Sequence, residues 1–215
     1  MNIAWRKVLS GCLAALLTAG CMFAPLPEIQ RGDSWDNNEV VVVGRVELVP
    51  ALKPGEQVVT GQYAMFRDRI ELVTSEQPKK LDAVQPKDQK NHIVPLLGET
   101  FFVRAPYRSF YIPAVALYLK KSNLQSTQSN VNLGVTIRTT NVREQTVMLF
   151  PAGFRIDARP SDRAVYIGTI VYHRDEYFGI TKVIIRDDFE RANAEFRKRT
   201  GNTVTLRKAL VAVSR

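Results

Sequence analysis

Apolar and polar residues alternate with a period of two through most of this chain. Glu39–Val49 reads EVVVVGRVELV, with Val40, Val42, Val46 and Leu48 on one face and Arg45 and Glu47 on the other. That pattern predicts a strand, with Gly44 as a bulge or a point of close approach. Asp68–Thr74 and the His92–Pro106 stretch, which holds Thr100-Phe101-Phe102-Val103, supply two more strands. Phe110–Leu119 is apolar on both faces, as a central strand would be, and Pro113 within it requires a bulge or an edge. Val131–Ile137 alternates most cleanly; Val147–Ile156, broken by Pro151-Ala152-Gly153, Ala164–Tyr172 and Ile180–Arg186 continue the series. Short strands separated by turn residues predict an all-β fold. The expected architecture is an antiparallel β-sandwich, immunoglobulin-like or similar, of about eight or nine strands.

The period changes once. Phe189, Ala192 and Phe196 recur at helical spacing, which predicts a C-terminal helix near 188–199. Asp187 and Glu190 are placed to form a capping box, Arg197, Lys198 and Arg199 favour the negative end of the helix dipole, and Gly201 is a stop. Val204–Val213 reads as a last strand.

Residues 1–20 stand apart. A basic start ends at Lys7, and the apolar run Val8–Ala19 is too short to span a bilayer, which takes about 20 residues. It ends in Leu17-Thr18-Ala19-Gly20-Cys21. This segment resembles the lipobox of bacterial lipoproteins, with Thr18 where leucine is commonest. The resemblance implies a cleaved signal peptide over 1–20 and thioether lipidation of Cys21. It also implies anchorage in the outer membrane of a Gram-negative bacterium, since Met22 is not the retaining aspartate. Residues 21–38 then read as the lipidated cysteine and a tether stiffened by Pro25 and Pro27, and 39–215 as a single domain.

Charge and cysteine count narrow the function. The 215 residues carry 30 Lys+Arg against 21 Asp+Glu, a net charge of +9 that becomes +7 without Arg6 and Lys7. The two cysteines are Cys12, in the leader, and Cys21. No thiol is left for catalysis, zinc or iron–sulfur binding, so no cofactor and no metal are expected. An envelope location argues against a nucleic-acid partner despite the basic balance.

Residues 191–215 hold seven Lys+Arg and one acid, Glu195. Arg191, Arg197, Lys198, Arg199, Arg207 and Lys208 are therefore the candidate contact for an anionic surface polymer or an acidic envelope protein; the plainer reading is a solvated face. Tyr172-His173-Arg174-Asp175-Glu176-Tyr177 is the densest polar cluster, with His173, Arg174, Asp175 and Glu176 as a candidate partner loop at a hairpin tip. The long polar loops 74–91 and 120–130 are further candidates for contact. No local signature of a hydrolase, nucleotide or metal site occurs. Three readings follow: a non-catalytic binding or scaffold module, an envelope hydrolase acting on glycan or lipid around His173 and Asp175, and a structural element acting by self-association.

Overall fold

The computed structural model describes residues 25–57, 61–78, 92–106, 109–120, 136–139 and 145–212. The leader, Cys21, residues 79–91, 121–130 and Val131–Val135 lie outside them. Within the described residues the strands are β1 (Val40–Val49), β2 (Glu71–Ser75), β3 (Thr100–Ala105), β4 (Ser109–Lys120), β5 (Thr136–Thr139), β6 (Gln145–Asp157), β7 (Ala164–Arg174), β8 (Ile180–Arg186) and β9 (Leu206–Lys208). A 3₁₀ helix spans Gly61–Phe66, and one α-helix, α1, spans Phe189–Thr200.

The strands form two sheets that share one core. The four-stranded sheet runs β2-β4-β6-β5 and is antiparallel throughout. The five-stranded sheet runs β3-β1-β7-β8, with β9 beside β7. Here the antiparallel expectation is corrected: β1 and β9 both run parallel to β7. Alternation predicts a strand and its buried face, but no local turn links β1 to β7 and so nothing nearby in sequence sets their direction. Val42, Val46 and Leu48 of β1, Val103 of β3 and Ile170 and Tyr172 of β7 meet Leu72, Val115, Leu117, Phe150 and Phe154 of the other sheet.

Two of the four register shifts among the described residues of the sheets involve glycine or proline. Across β1 and β7 the register runs from Val43–Tyr166 to Arg45–Thr169, so β7 carries one extra residue. Gly168 takes φ +103 there, a conformation that side chains other than glycine's rarely adopt. The extra residue flips the alternation of β7: Val165 and Ile167 face the core before it, Ile170 and Tyr172 after it. Gly44 lies opposite, and a Cβ there would meet Phe101 Cζ at 2.7 Å and Ile167 Cγ1 at 2.8 Å. In the other sheet Pro113 sits in a bulge where Ile112 pairs Phe154 and Ala114 pairs Pro151. One bulge thus absorbs both Pro113 and the Pro151-Ala152-Gly153 interruption, and β6 runs on through it.

The helix covers the outer face of the five-stranded sheet. Ala192 and Phe196 pack on Val41, Val43, Phe102, Ala164 and Tyr166. Only half of the capping box forms: Asp187 Oδ1 accepts from the Phe189 N–H at 3.1 Å, and Glu190 makes no return bond to a described residue. Asp188 is the N-cap residue and makes no side-chain cap bond; its carboxylate instead accepts from Thr169 Oγ1 at 2.9 Å and Arg186 Nε at 2.8 Å. Gly201 closes the helix in the left-handed conformation, donating its N–H to the Arg197 carbonyl. Beyond it, Leu206–Lys208 is strand within the described part, 204–212, of the stretch expected as a last strand.

The segment expected as a tether is docked from Leu26 onward. Leu26, Ile29 and Trp35 are buried. The Ile29 N–H bonds the Phe102 carbonyl at 2.9 Å, and the Arg104 N–H bonds the Pro27 carbonyl at 2.8 Å. The segment thereby covers the exposed edge of β3, a position that otherwise offers unpaired backbone groups to other chains.

Candidate functional site: a basic groove beside the helix

On α1 the spacing 191, 195, 198, 199 brings four side chains to one flank, whereas 197 falls on the opposite side. Along that flank, between α1 and the start of β3, runs a groove of about 370 Å³. Arg191, Lys198 and Arg199 line it from the helix, Arg45 from β1, Thr100 and Phe102 from β3, and Glu99 from just before β3. The cations outnumber the lining acids, Glu99 and Glu195.

Each cation is held differently. Arg45 is buried; its Nη2 donates to Thr100 Oγ1 at 3.0 Å, and its guanidinium lies 3.6 Å from Glu47 and 3.9 Å from Glu195. Arg199 stacks over the Phe102 ring at 4.3 Å and donates to the Ile29 carbonyl at 3.0 Å. Arg191 pairs with Glu195 at 3.1 Å. Burial pushes the Glu195 carboxyl up, but the bonds from Thr100 and Arg191 and the nearby arginine charges outweigh it and leave it below its ordinary value. Lys198 is exposed and makes no ion pair with a described residue. The groove therefore has a fixed guanidinium floor and one uncommitted ammonium at its mouth, an arrangement suited to a phosphate, sulfate or carboxylate group.

The other predicted cations do not join it. Arg197 opens into a separate cleft with Phe189, Asn193 and Leu206. Arg207 is bound to Asp162 Oδ2 at 2.8 Å and the Asp157 carbonyl at 3.0 Å. Lys208 is bound to Asp187 Oδ2 at 2.7 Å and lies over the Phe189 ring at 5.1 Å. That bond holds the Asp187 carboxyl below its ordinary range despite some desolvation. The residues taken together as one C-terminal patch are divided by the helix period and by local acids.

Within the 172–177 cluster, the Arg174 and Asp175 side chains are engaged in the fold. Arg174 is buried at the end of β7, donating to the carbonyls of Pro50 (3.0 Å) and Ala51 (2.9 Å) and to Glu56 Oε2 (2.9 Å). Its guanidinium lies 4.2 Å over the Phe178 ring. The Asp175 carboxylate accepts from the N–H groups of Tyr177 (2.9 Å) and Gly179 (2.7 Å), shaping its own turn. Glu176 is exposed, and the His173 carbonyl accepts from Thr181 Oγ1 at 3.2 Å. Asp187 and Asp188, side by side in sequence, are held by different cations, Lys208 and Arg186, rather than facing each other.

Two polar groupings escape a linear reading. Arg45 reads only as the outward residue of a strand, because nothing in the sequence says that α1 covers that face. The second is sealed in the outer face of the four-stranded sheet: Glu71, His92 and Tyr118 are all buried. Tyr118 donates to Glu71 Oε2 at 2.9 Å, and His92 Nδ1 lies 3.3 Å from Glu71 Oε1. Burial raises the Glu71 carboxyl to about 7, and the Tyr118 bond opposes the rise.

Among the described residues no helix is long and apolar enough to cross a membrane, and no three His, Cys, Asp or Glu side chains group as a metal site. No family model, no curated protein and no solved structure matches the chain.

Proposed function

We propose that this chain is a non-catalytic lipoprotein of the Gram-negative outer membrane, a β-sandwich that acts as a binding or scaffold module for an anionic envelope component. The lipobox residues Leu17-Thr18-Ala19-Gly20-Cys21 support the anchor. The observation that carries the binding role is the groove, where Arg191, Lys198 and Arg199 of α1 converge with the buried Arg45.

The docked N-terminal segment adds a positional argument. Leu26 is packed in place, five residue steps past Cys21. Extended, they reach at most about 18 Å. A lipidated Cys21 would hold the domain close to the bilayer surface rather than on a long spacer.

The test is capture from solubilised envelopes by the full chain at low and high salt. Arg191→Glu/Lys198→Glu is expected to abolish capture of the bound component, and His173→Ala/Asp175→Ala to leave it unchanged. Capture that survives the charge reversal while failing in the His173 and Asp175 variant would transfer the site to the hairpin and reopen the hydrolase reading.

A further inference from the structure

The basic groove has a neighbour of opposite character. A cleft of about 410 Å³ is walled by Leu48, Ala51, Leu52 and Leu97. Leu52 and Leu97 are only partly buried, so their apolar surface is open to a ligand. Gly98 lines both clefts. It takes φ +77, and a Cβ built there would meet nothing within 4 Å, so open space lies beside the residue the two clefts share.

We infer that the two clefts form one site for an anionic amphiphile, a lipid with a phosphate headgroup. The headgroup lies on Lys198, Arg191 and the Arg45 guanidinium, and the acyl chain runs past Gly98 onto Leu52 and Leu97. The combined space is of the size that ligand sites use, with an apolar wall and a few convergent polar groups. Charge fixes the orientation. The acids at the apolar cleft, Glu47 and Asp68, disfavour an anion there, and Glu47 is already held by Arg186 at 2.9 Å. Position supports the same ligand. Arg199 of the groove bonds the Ile29 carbonyl, and Ile29 is eight residues past Cys21, at most about 29 Å of extended chain. This inference rests on the proposed anchor and on the groove as the docking site, and it names the ligand class.

The test titrates the full chain, in a mild non-ionic detergent, with three probes read by native mass spectrometry: lysophosphatidylglycerol, lysophosphatidylcholine of the same chain length, and glycerol 3-phosphate. One lysophosphatidylglycerol per chain is expected, about tenfold tighter than either other probe. Arg191→Glu/Lys198→Glu lowers that affinity about tenfold. Leu52→Glu, with the exposed Ala51→Glu as a second variant that leaves the core intact, weakens lysophosphatidylglycerol and leaves glycerol 3-phosphate unchanged. Glycerol 3-phosphate binding as tightly as the lipid, and lost in the charge reversal, overturns the lipid while the anionic groove stands. Equal binding of both lipids, or indifference to the charge reversal, overturns the lipid site and the groove together.

Discussion

The two sheets solve the same problem, a polar outer face, in opposite ways. The five-stranded sheet keeps its charges near solvent under α1 and gives most of them partners. Glu47 holds Arg186 by two bonds, Asp188 holds Arg186 and Thr169, and Glu195 lies between Arg45 and Arg191. The four-stranded sheet buries a single carboxyl, Glu71, against Tyr118 and His92. The first arrangement leaves a basic groove open to solvent. The second leaves a group whose charge is costly and whose role is internal. An ionisable residue of marked chemical character is thus no pointer to function until its access is known.

The sharpest way to break this contrast is to remove a partnered charge. Arg174→Met removes one donor from Glu56, which keeps the Lys53 N–H, and the guanidinium donors to the Pro50 and Ala51 carbonyls. It is expected to destabilise the fold by about 3 kcal/mol, read as a lower urea midpoint at unchanged slope. A midpoint equal to wild type would show that these pairings contribute nothing.

Glu71 should behave in the reverse sense. Its carboxyl is raised from 4.5 to about 7, so the folded state holds a proton that the unfolded state releases. Stability is then full below about pH 4.5 and falls as pH rises towards 7, by about 3 kcal/mol in all. Glu71→Gln keeps an acceptor for Tyr118 and removes the charge. The stability difference between variant and wild type should therefore grow in favour of the variant from pH 4.5 to 7. Parallel pH profiles for the two proteins would refute the buried-carboxyl account.

Gly44→Ala probes the junction between core and bulge. Its Cβ would press on Phe101 and Ile167, and a loss of about 2 kcal/mol is expected in thermal melts. The smallest effect has the opposite sign. The Tyr172 hydroxyl is buried without a hydrogen-bond partner among the described residues, and burial pushes its ionisation far above the ordinary value. Tyr172→Phe should stabilise by about 1 kcal/mol; a loss of stability would mean that the hydroxyl is satisfied in solution.

Much of the fold was legible because it is written in local patterns. The alternation of Val40, Val42, Val46 and Leu48 and the helical spacing of Phe189, Ala192 and Phe196 each predicted an element and its buried face. Gly44, Pro113 and Gly201 marked a close approach, a bulge and a helix stop. Strand direction was not legible, since β7, the parallel partner of β1, lies more than a hundred residues away. The docking of Leu26, Ile29 and Trp35 was hidden for a related reason: prolines and turn residues describe a tether and an edge cover equally well. The candidate site was half legible. Arg191, Lys198 and Arg199 stood out as charge, but Arg45 and the separation of Arg197, Arg207 and Lys208 depend on which faces meet.

The most direct measurement compares lysine reactivity. Lys198 stands at the mouth of the groove, and Lys182 is exposed on β8, away from it. Both are to be acylated in intact envelopes and in the purified full chain, at low and high salt, and read by peptide mass spectrometry. Protection of Lys198 in the envelope, released by salt, with Lys182 equally reactive throughout, is the predicted result. Equal labelling of both lysines in every condition would contradict the groove as the binding site.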